Sequence, residues 1–230
     1  MSLKWMWITV LSLWPVLAVA EGHERRITVT GSGAVEVVPD MATIQLGVAN
    51  DARSAREAIE NNSVAMAAVL ERLTSAAIEA RDIQTSNFSV SPRYDYNRQS
   101  GEAPKITGFV AQNMVTVRVR DMTRLGAILD EVARDGANSF NGLTFGLQEP
   151  GPAEDAAREA AVVEARRKAE LYATAAGVSL GSVMTINEAG GARPQQVMMA
   201  ETLRSTSDAV PVAAGELSVS ARVTIVYAIE

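Results

Sequence analysis

The sequence predicts an α+β fold, a mostly antiparallel sheet with helices packed on one face. Three observations carry that expectation. Apolar and polar residues alternate in long runs, above all Leu217, Val219, Ala221, Val223, Ile225, Tyr227 and Ile229. In three other segments the period switches to that of a helix. Turn-forming residues, among them Pro39-Asp40, Gly136 and Glu149-Pro150-Gly151-Pro152, separate the runs.

Arg26 to Val38 reads as a strand interrupted by Gly31 and Gly33. Met41 to Ala49 reads as a second strand, with Ala42, Ile44, Leu46 and Val48 on one face. Across Pro39-Asp40 the two read as a hairpin. Ser54 to Ala80 is a long helix with Ile59, Met66, Leu70, Leu73 and Ala77 as its apolar stripe. Asp51 or Ser54 caps it, and Glu57 stands where a capping box needs an acid after Ser54.

Ile83 to Tyr96 is an irregular strand ending at Ser91-Pro92, followed by a polar loop to Pro104. Lys105 to Arg120 is a strand whose two halves have opposite parity, which a bulge near Gln112-Asn113 reconciles. Thr123 to Arg134 is a short helix stopped by Gly136, and Leu143 to Leu147 a strand. Ala153 to Ala176 is an alanine-rich helix ended by Gly177, with Glu164 four residues before Lys168. A short strand follows at Val183 to Ile186. Residues 190–215 read as the least ordered stretch, and Glu216 to Ile229 is the most regular strand.

The first 20 residues have the pattern of a secretory leader: Lys4, an apolar run from Trp5 to Leu17, then Ala18-Val19-Ala20. The run is shorter than the roughly 20 residues that span a bilayer. Cleavage after Ala20 leaves residues 21–230 as one domain in the periplasm. The chain carries 21 Lys and Arg against 27 Asp and Glu, a formal net charge of −6. The leader's only charged residue is basic, so the mature chain is more acidic still. An acidic chain with no basic cluster predicts no nucleic-acid partner.

The chain has no cysteine and one histidine, His23, beside the predicted cleavage point. Thiol catalysis and thiolate metal sites are excluded, and a Ser-His-Asp arrangement would rest on a chain terminus. Gly31-Ser32-Gly33 lacks the third glycine of a nucleotide fingerprint, because position 36 is Glu36 and strand follows. Close backbone approach accounts for the pair better. The mixed charges from Glu154 to Glu170 read as a solvated helix face. Met198-Met199 have no spaced repeat to suggest copper, so no metal or other cofactor is expected. Arg93, Tyr94 and Tyr96 form an aromatic-basic cluster, the one weak candidate for a ligand or partner. Carboxylate-only hydrolysis by Asp40, Asp82 or Glu216 needs a separation that sequence does not define.

Several segments in order resemble one family. Ile27-Thr28-Val29-Thr30-Gly31-Ser32-Gly33 precedes Val37-Val38-Pro39-Asp40-Met41-Ala42. Asp82-Ile83-Gln84-Thr85 leads to Ser91-Pro92-Arg93-Tyr94, and Ile106-Thr107-Gly108-Phe109 to Asn113-Met114-Val115-Thr116-Val117. Gly136-Ala137-Asn138, Ala157-Arg158, Ala165-Arg166-Arg167-Lys168-Ala169-Glu170, Gly177-Val178-Ser179-Leu180-Gly181 and Gly215-Glu216-Leu217-Ser218-Val219 complete the series. Together they resemble the SIMPL-domain family of bacterial secreted proteins, which includes periplasmic immunogenic proteins. Phe109 departs from the tyrosine expected there. The resemblance implies two αβ portions in one chain, a periplasmic or outer-membrane-associated location, a role in resisting oxidative stress and homo-oligomers of ring or channel form. It supplies no catalytic residues. The expected function is therefore that of a non-enzymatic, self-assembling envelope protein, with a monomeric or dimeric binding module as the alternative.

Overall fold

The computed structural model describes residues 25–95, 104–191, 193–197 and 212–230. The predicted leader, Tyr96 and Met198-Met199 lie outside them. The fold is α+β, and its strands fall into two antiparallel sheets rather than one. The first sheet holds β1 (Arg26–Val37), β6 (Leu180–Glu188), β7 (Arg193–Val197) and β8 (Glu216–Ile229). Its order is β1-β8-β6, with β7 beside the first half of β8. The second holds β2 (Met41–Ala52), β3 (Ile83–Asp95), β4 (Lys105–Val119) and β5 (Ser139–Gly146) in the order β3-β4-β2-β5. Helices α1 (Ala55–Ser75) and α2 (Leu125–Arg134) cover one face of the second sheet, and α3 (Gly151–Ala176) covers one face of the first. Among the described residues no helix is long and apolar enough to cross a membrane.

The predicted hairpin does not form. β1 pairs along its whole length with β8, from Arg26 opposite Ala228 to Val37 opposite Leu217. β2 pairs with β4 and β5 instead. Pro39-Asp40 does turn the chain, but a turn does not choose a partner. β1 lays Val29, Gly31 and Gly33 under α3 in the core that β8 shares, whereas β2 carries Ile44, Leu46 and Val48 into the other core. The segment is a crossover, and the Asp40 N–H donates to the carbonyl of Gly146 at 3.2 Å. The whole second sheet is thus an insertion, entered through residues 38–40 and left through 147–150.

Helix α1 begins as its sequence indicates, with the Glu57 N–H donating to the Ser54 hydroxyl. Its buried face is Ala58, Asn62, Met66, Val69 and Leu73. That is a stripe turned from the expected one, and Ile59 stays exposed. The reason lies in Asn62, whose side-chain amide donates to the carbonyls of Val48 at 2.8 Å and Ala111 at 3.1 Å. The helix seats on the sheet through that bond and the small Ala58. It ends on Ala77, which is left-handed at φ 59° without being glycine. The amides of Ala77 and Ile78 reach back to Thr74 and Leu73, and Ile78 returns to the core.

β3 runs through Ser91-Pro92 to Asp95 instead of stopping. It is an edge strand, where proline's missing N–H costs no ladder bond. No irregularity falls at Gln112-Asn113, since β4 is in continuous register with β2. The slips lie against β3, between Thr85 and Asn87 and between Arg93 and Tyr94. Both faces of β4 are partly covered, so Met114 and Val115 are buried side by side and mimic a change of parity. β7 is a strand within the stretch expected to be least ordered.

Candidate functional site

Of the predicted cluster, Arg93 and Tyr94 lie at the end of the β3–β4 pair, and Tyr96 is outside the described residues. The Arg93 guanidinium reaches over β4 to Asp51 on β2, with Nη1 2.6 Å from Oδ2. It passes Gly108, where an added Cβ would sit 3.5 Å from Nη2 and 2.8 Å from the carbonyl oxygen of Ala52. The Thr107 hydroxyl donates to the Arg93 carbonyl at 3.2 Å. Arg93 therefore ties three strands together. Both partners are more than half exposed, so the pair adds little to stability.

A second cluster was not anticipated as a unit. The short helical turn Ala80–Asp82 delivers Asp82 beneath the end of β4. There Arg120 forms a two-pronged pair with it, Nε to Oδ2 and Nη2 to Oδ1 both at 2.7 Å. Asp82 is buried, with 4% of its surface exposed. Its hydrogen bonds from Arg120 hold its carboxyl below the usual 3.8, against the opposing effect of burial. Gln148 joins this pair to the crossovers. Its side-chain amide donates to the Asp40 carbonyl at 3.0 Å and the Arg120 carbonyl at 3.4 Å. The Gln148 N–H donates to the Asp40 carboxylate at 2.7 Å. Asp40 and Gln148 belong to the two connections between the sheets, so the network clasps both at one point.

The third feature is the contact of α3 with β1. Ala157, Ala161, Ala165, Ala169 and Ala173 form the helix's buried stripe at intervals of four. Gly31 and Gly33 lie beneath it. A Cβ on Gly31 would fall 2.0 Å from the Ala161 carbonyl oxygen, and one on Gly33 2.2 Å from that of Ala157. The glycine pair thus serves close approach, as the sequence indicated.

The close approach also brings charged side chains to the free edge of β1. Lys168 Nζ donates to the Thr30 carbonyl at 2.9 Å, and the Ser32 N–H donates to Glu164 Oε2 at 3.3 Å. Glu164 and Lys168 themselves pair at 2.8 Å. This clamp occupies backbone groups that an unpaired edge would offer to another strand. Lys168 and the Ser32 N–H hold the Glu164 carboxyl below its usual 4.5. The clamp is thus complete above that value and is released as pH falls through the lower folded one. The double substitution Glu164→Gln with Lys168→Met is expected to raise the aggregation rate at neutral pH, read by turbidity. A rate equal to that of the unaltered chain would remove the clamp's protective role.

These arrangements hold structure in place. Asp82 and Asp40 are committed to Arg120 and Gln148, and an acid held ionised by arginine is a poor proton donor. Among the described residues no group of three or more His, Asp or Glu side chains is placed to hold a metal ion.

The family model SIMPL, described as a protein of unknown function (DUF541), matches residues 27–227. The chain belongs to the SIMPL family. A 26 kDa periplasmic immunogenic protein of Brucella melitensis is 38% identical over 214 residues, covering 89% of this chain and 85% of that protein. Its Brucella abortus counterpart matches equally. The uncharacterised protein YggE of Escherichia coli K12 is 29% identical over 160 residues, or 70% of this chain and 64% of its own length. In this SIMPL chain the resemblance residues now have physical roles. Gly31 and Gly33 seat α3, Gly108 clears the path of Arg93, Asp82 anchors Arg120, and Lys168 guards β1. Asn138 bonds the backbone of Ala49 through both ends of its amide, at 2.8 and 2.9 Å. Asp82 is visible in the sequence as an acid just before a strand, but its partner lies 38 residues away.

Proposed function

We propose that this SIMPL protein is a non-enzymatic periplasmic envelope protein that assembles with copies of itself and supports tolerance of oxidative and envelope stress. The names of the Brucella relatives and the predicted leader support the location. The family resemblance supports the stress role and a peripheral association with the outer membrane. One observation carries the assembly. Val163, Leu171 and Tyr172 on α3, with Val183, Met184 and Ile186 on β6, are between 43% and 67% exposed. Exposed apolar side chains gathered on two elements in contact, as α3 and β6 are, mark protein contact surfaces. Meanwhile β1, on the other side of the same sheet, is closed by Glu164 and Lys168.

The variant Leu171→Glu with Ile186→Lys tests this reading. Its native mass should fall toward that of one chain while its circular dichroism is unchanged. A strain carrying that variant should then be as sensitive to peroxide as a strain lacking the gene. Full resistance from a monomeric variant would separate stress tolerance from assembly and overturn the proposal.

A further inference from the structure

We infer that the outer edge of β5 and the groove beside α2 bind an extended peptide segment of another protein, adding it to the second sheet as a strand with one large apolar side chain seated in the groove. β5 is the last strand of the order β3-β4-β2-β5, so its outer backbone groups have no strand partner among the described residues. Between it and α2 lies a cavity of about 360 Å³, lined by Ile44, Leu129, Asp130, Ala133, Phe140 and Leu143. That is at the small end of the roughly 300–1,000 Å³ range of ligand pockets. A free ladder of backbone donors and acceptors next to an apolar pocket is what strand addition uses. The backbone supplies affinity and the pocket selects the side chain.

The contrast among edges strengthens the inference. Two of the other edges are blocked: β1 is closed by the Glu164–Lys168 clamp, and β3 carries Pro92, Arg93 and Asp95, while β6 carries only Glu188. β5 reads Ser-Phe-Asn-Gly-Leu-Thr-Phe-Gly, with no charge and no proline. Charge, proline and bulges are the devices by which proteins discourage strand addition, and of these β5 has only a bulge, where Asn141 and Gly142 (φ 136°) lie between Phe140 and Leu143 opposite the shorter step from Leu46 to Ile44. Phe140 remains 44% exposed at the groove's mouth. Asp130, the only ionisable lining residue, is held by no more than an exposed one-turn pair with Arg134 at 3.2 Å, and the chain as a whole is acidic. The complementary occupant is therefore an extended segment with an apolar side chain flanked by basic ones.

The probe is a fluorescent, acetylated and amidated peptide of sequence Lys-Thr-Phe-Thr-Leu-Lys, titrated with the mature chain, residues 21–230, and followed by anisotropy. Saturable binding is expected, weakened at least about tenfold by Ala133→Trp, which fills the groove from an exposed helix position. Asn141→Pro, in the β5 bulge where residue 141 has no register partner on β2, should weaken it comparably. N-methylation of alternate peptide amides should do the same without any change in the protein. Thermal melts of both variants confirm that they remain folded. Absence of saturation up to about 1 mM overturns the proposal. So does binding indifferent to both N-methylation and Ala133→Trp. If Ala133→Trp instead lowers the native mass while the peptide does not bind, the face joins copies of this chain, and the peptide partner is refuted.

Discussion

Replacing Gly31 with alanine lowers the melting temperature of the mature chain by roughly 6–12 °C, and Gly33→Ala does the same. The new methyl group at residue 31 would meet the Ala161 carbonyl oxygen at 2.0 Å and the Ala165 nitrogen at 2.5 Å. Those atoms are helix backbone and cannot swing aside, so α3 must lift from the sheet. Lifting opens the contacts of Ala157, Ala161 and Ala165, all fully buried. Overpacking of this kind costs on the order of 3 kcal/mol, and the stripe of small residues leaves no slack to absorb it. Gly151→Ala is the control. Nothing lies within 4 Å of its Cβ position, and no loss is expected there. Equal melting temperatures for Gly31→Ala and Gly151→Ala would show that α3 does not rest on the glycines.

Arg120→Met is expected to lower the melting temperature at pH 7 by roughly 6–10 °C, because it strands a buried carboxylate. Asp82 has 3% of its side chain exposed and both oxygens bonded to Arg120. The effect depends on pH in one direction. The folded Asp82 carboxyl sits below its usual 3.8, chiefly through hydrogen bonds from Arg120. A depressed acid stabilises the fold above its unfolded value, and that contribution vanishes as pH falls through the folded one. The gap between the unaltered chain and Arg120→Met should therefore be widest above about pH 5 and close in acid. Adding Asp82→Asn to Arg120→Met should restore part of the loss at pH 7. Thermal melts from pH 3 to 7 read all three. A gap that stays constant over that range would mean that the pair is not what Arg120 contributes.

Much of this architecture is legible in the residues, and what is not has definite causes. The alternation of β2 and β8 marks each as a strand with one buried face; the burial follows it in β8 from Leu217 to Tyr227 and in β2 up to Leu46, where Gly47 is buried as well. Gly177, left-handed at φ 71°, ends α3 where the sequence places the stop. Partner choice is different. Nothing near Val38-Pro39 reveals that β1 pairs with a strand about 190 residues further on, as Thr30 does with Thr224. The α1 stripe is displaced because hydrophobicity alone favours Ile59 over Ala58 and Asn62. A buried amide bonded to Val48 and Ala111 has no signal until the sheet is present. Glu164 and Lys168 read as an ordinary helix pair, since their second partners are backbone atoms of a distant strand. The groove beside β5 was missed because Leu129 and Phe140 look like core residues until β5 is seen to end its sheet among the described residues.

The central claim, assembly through the exposed apolar surface of α3 and β6, is tested most directly by the native mass of detergent-free mature chain. Light scattering across a concentration series measures it. The account predicts a stable mass of many subunits that persists on dilution. A mass of one chain at every concentration would contradict it.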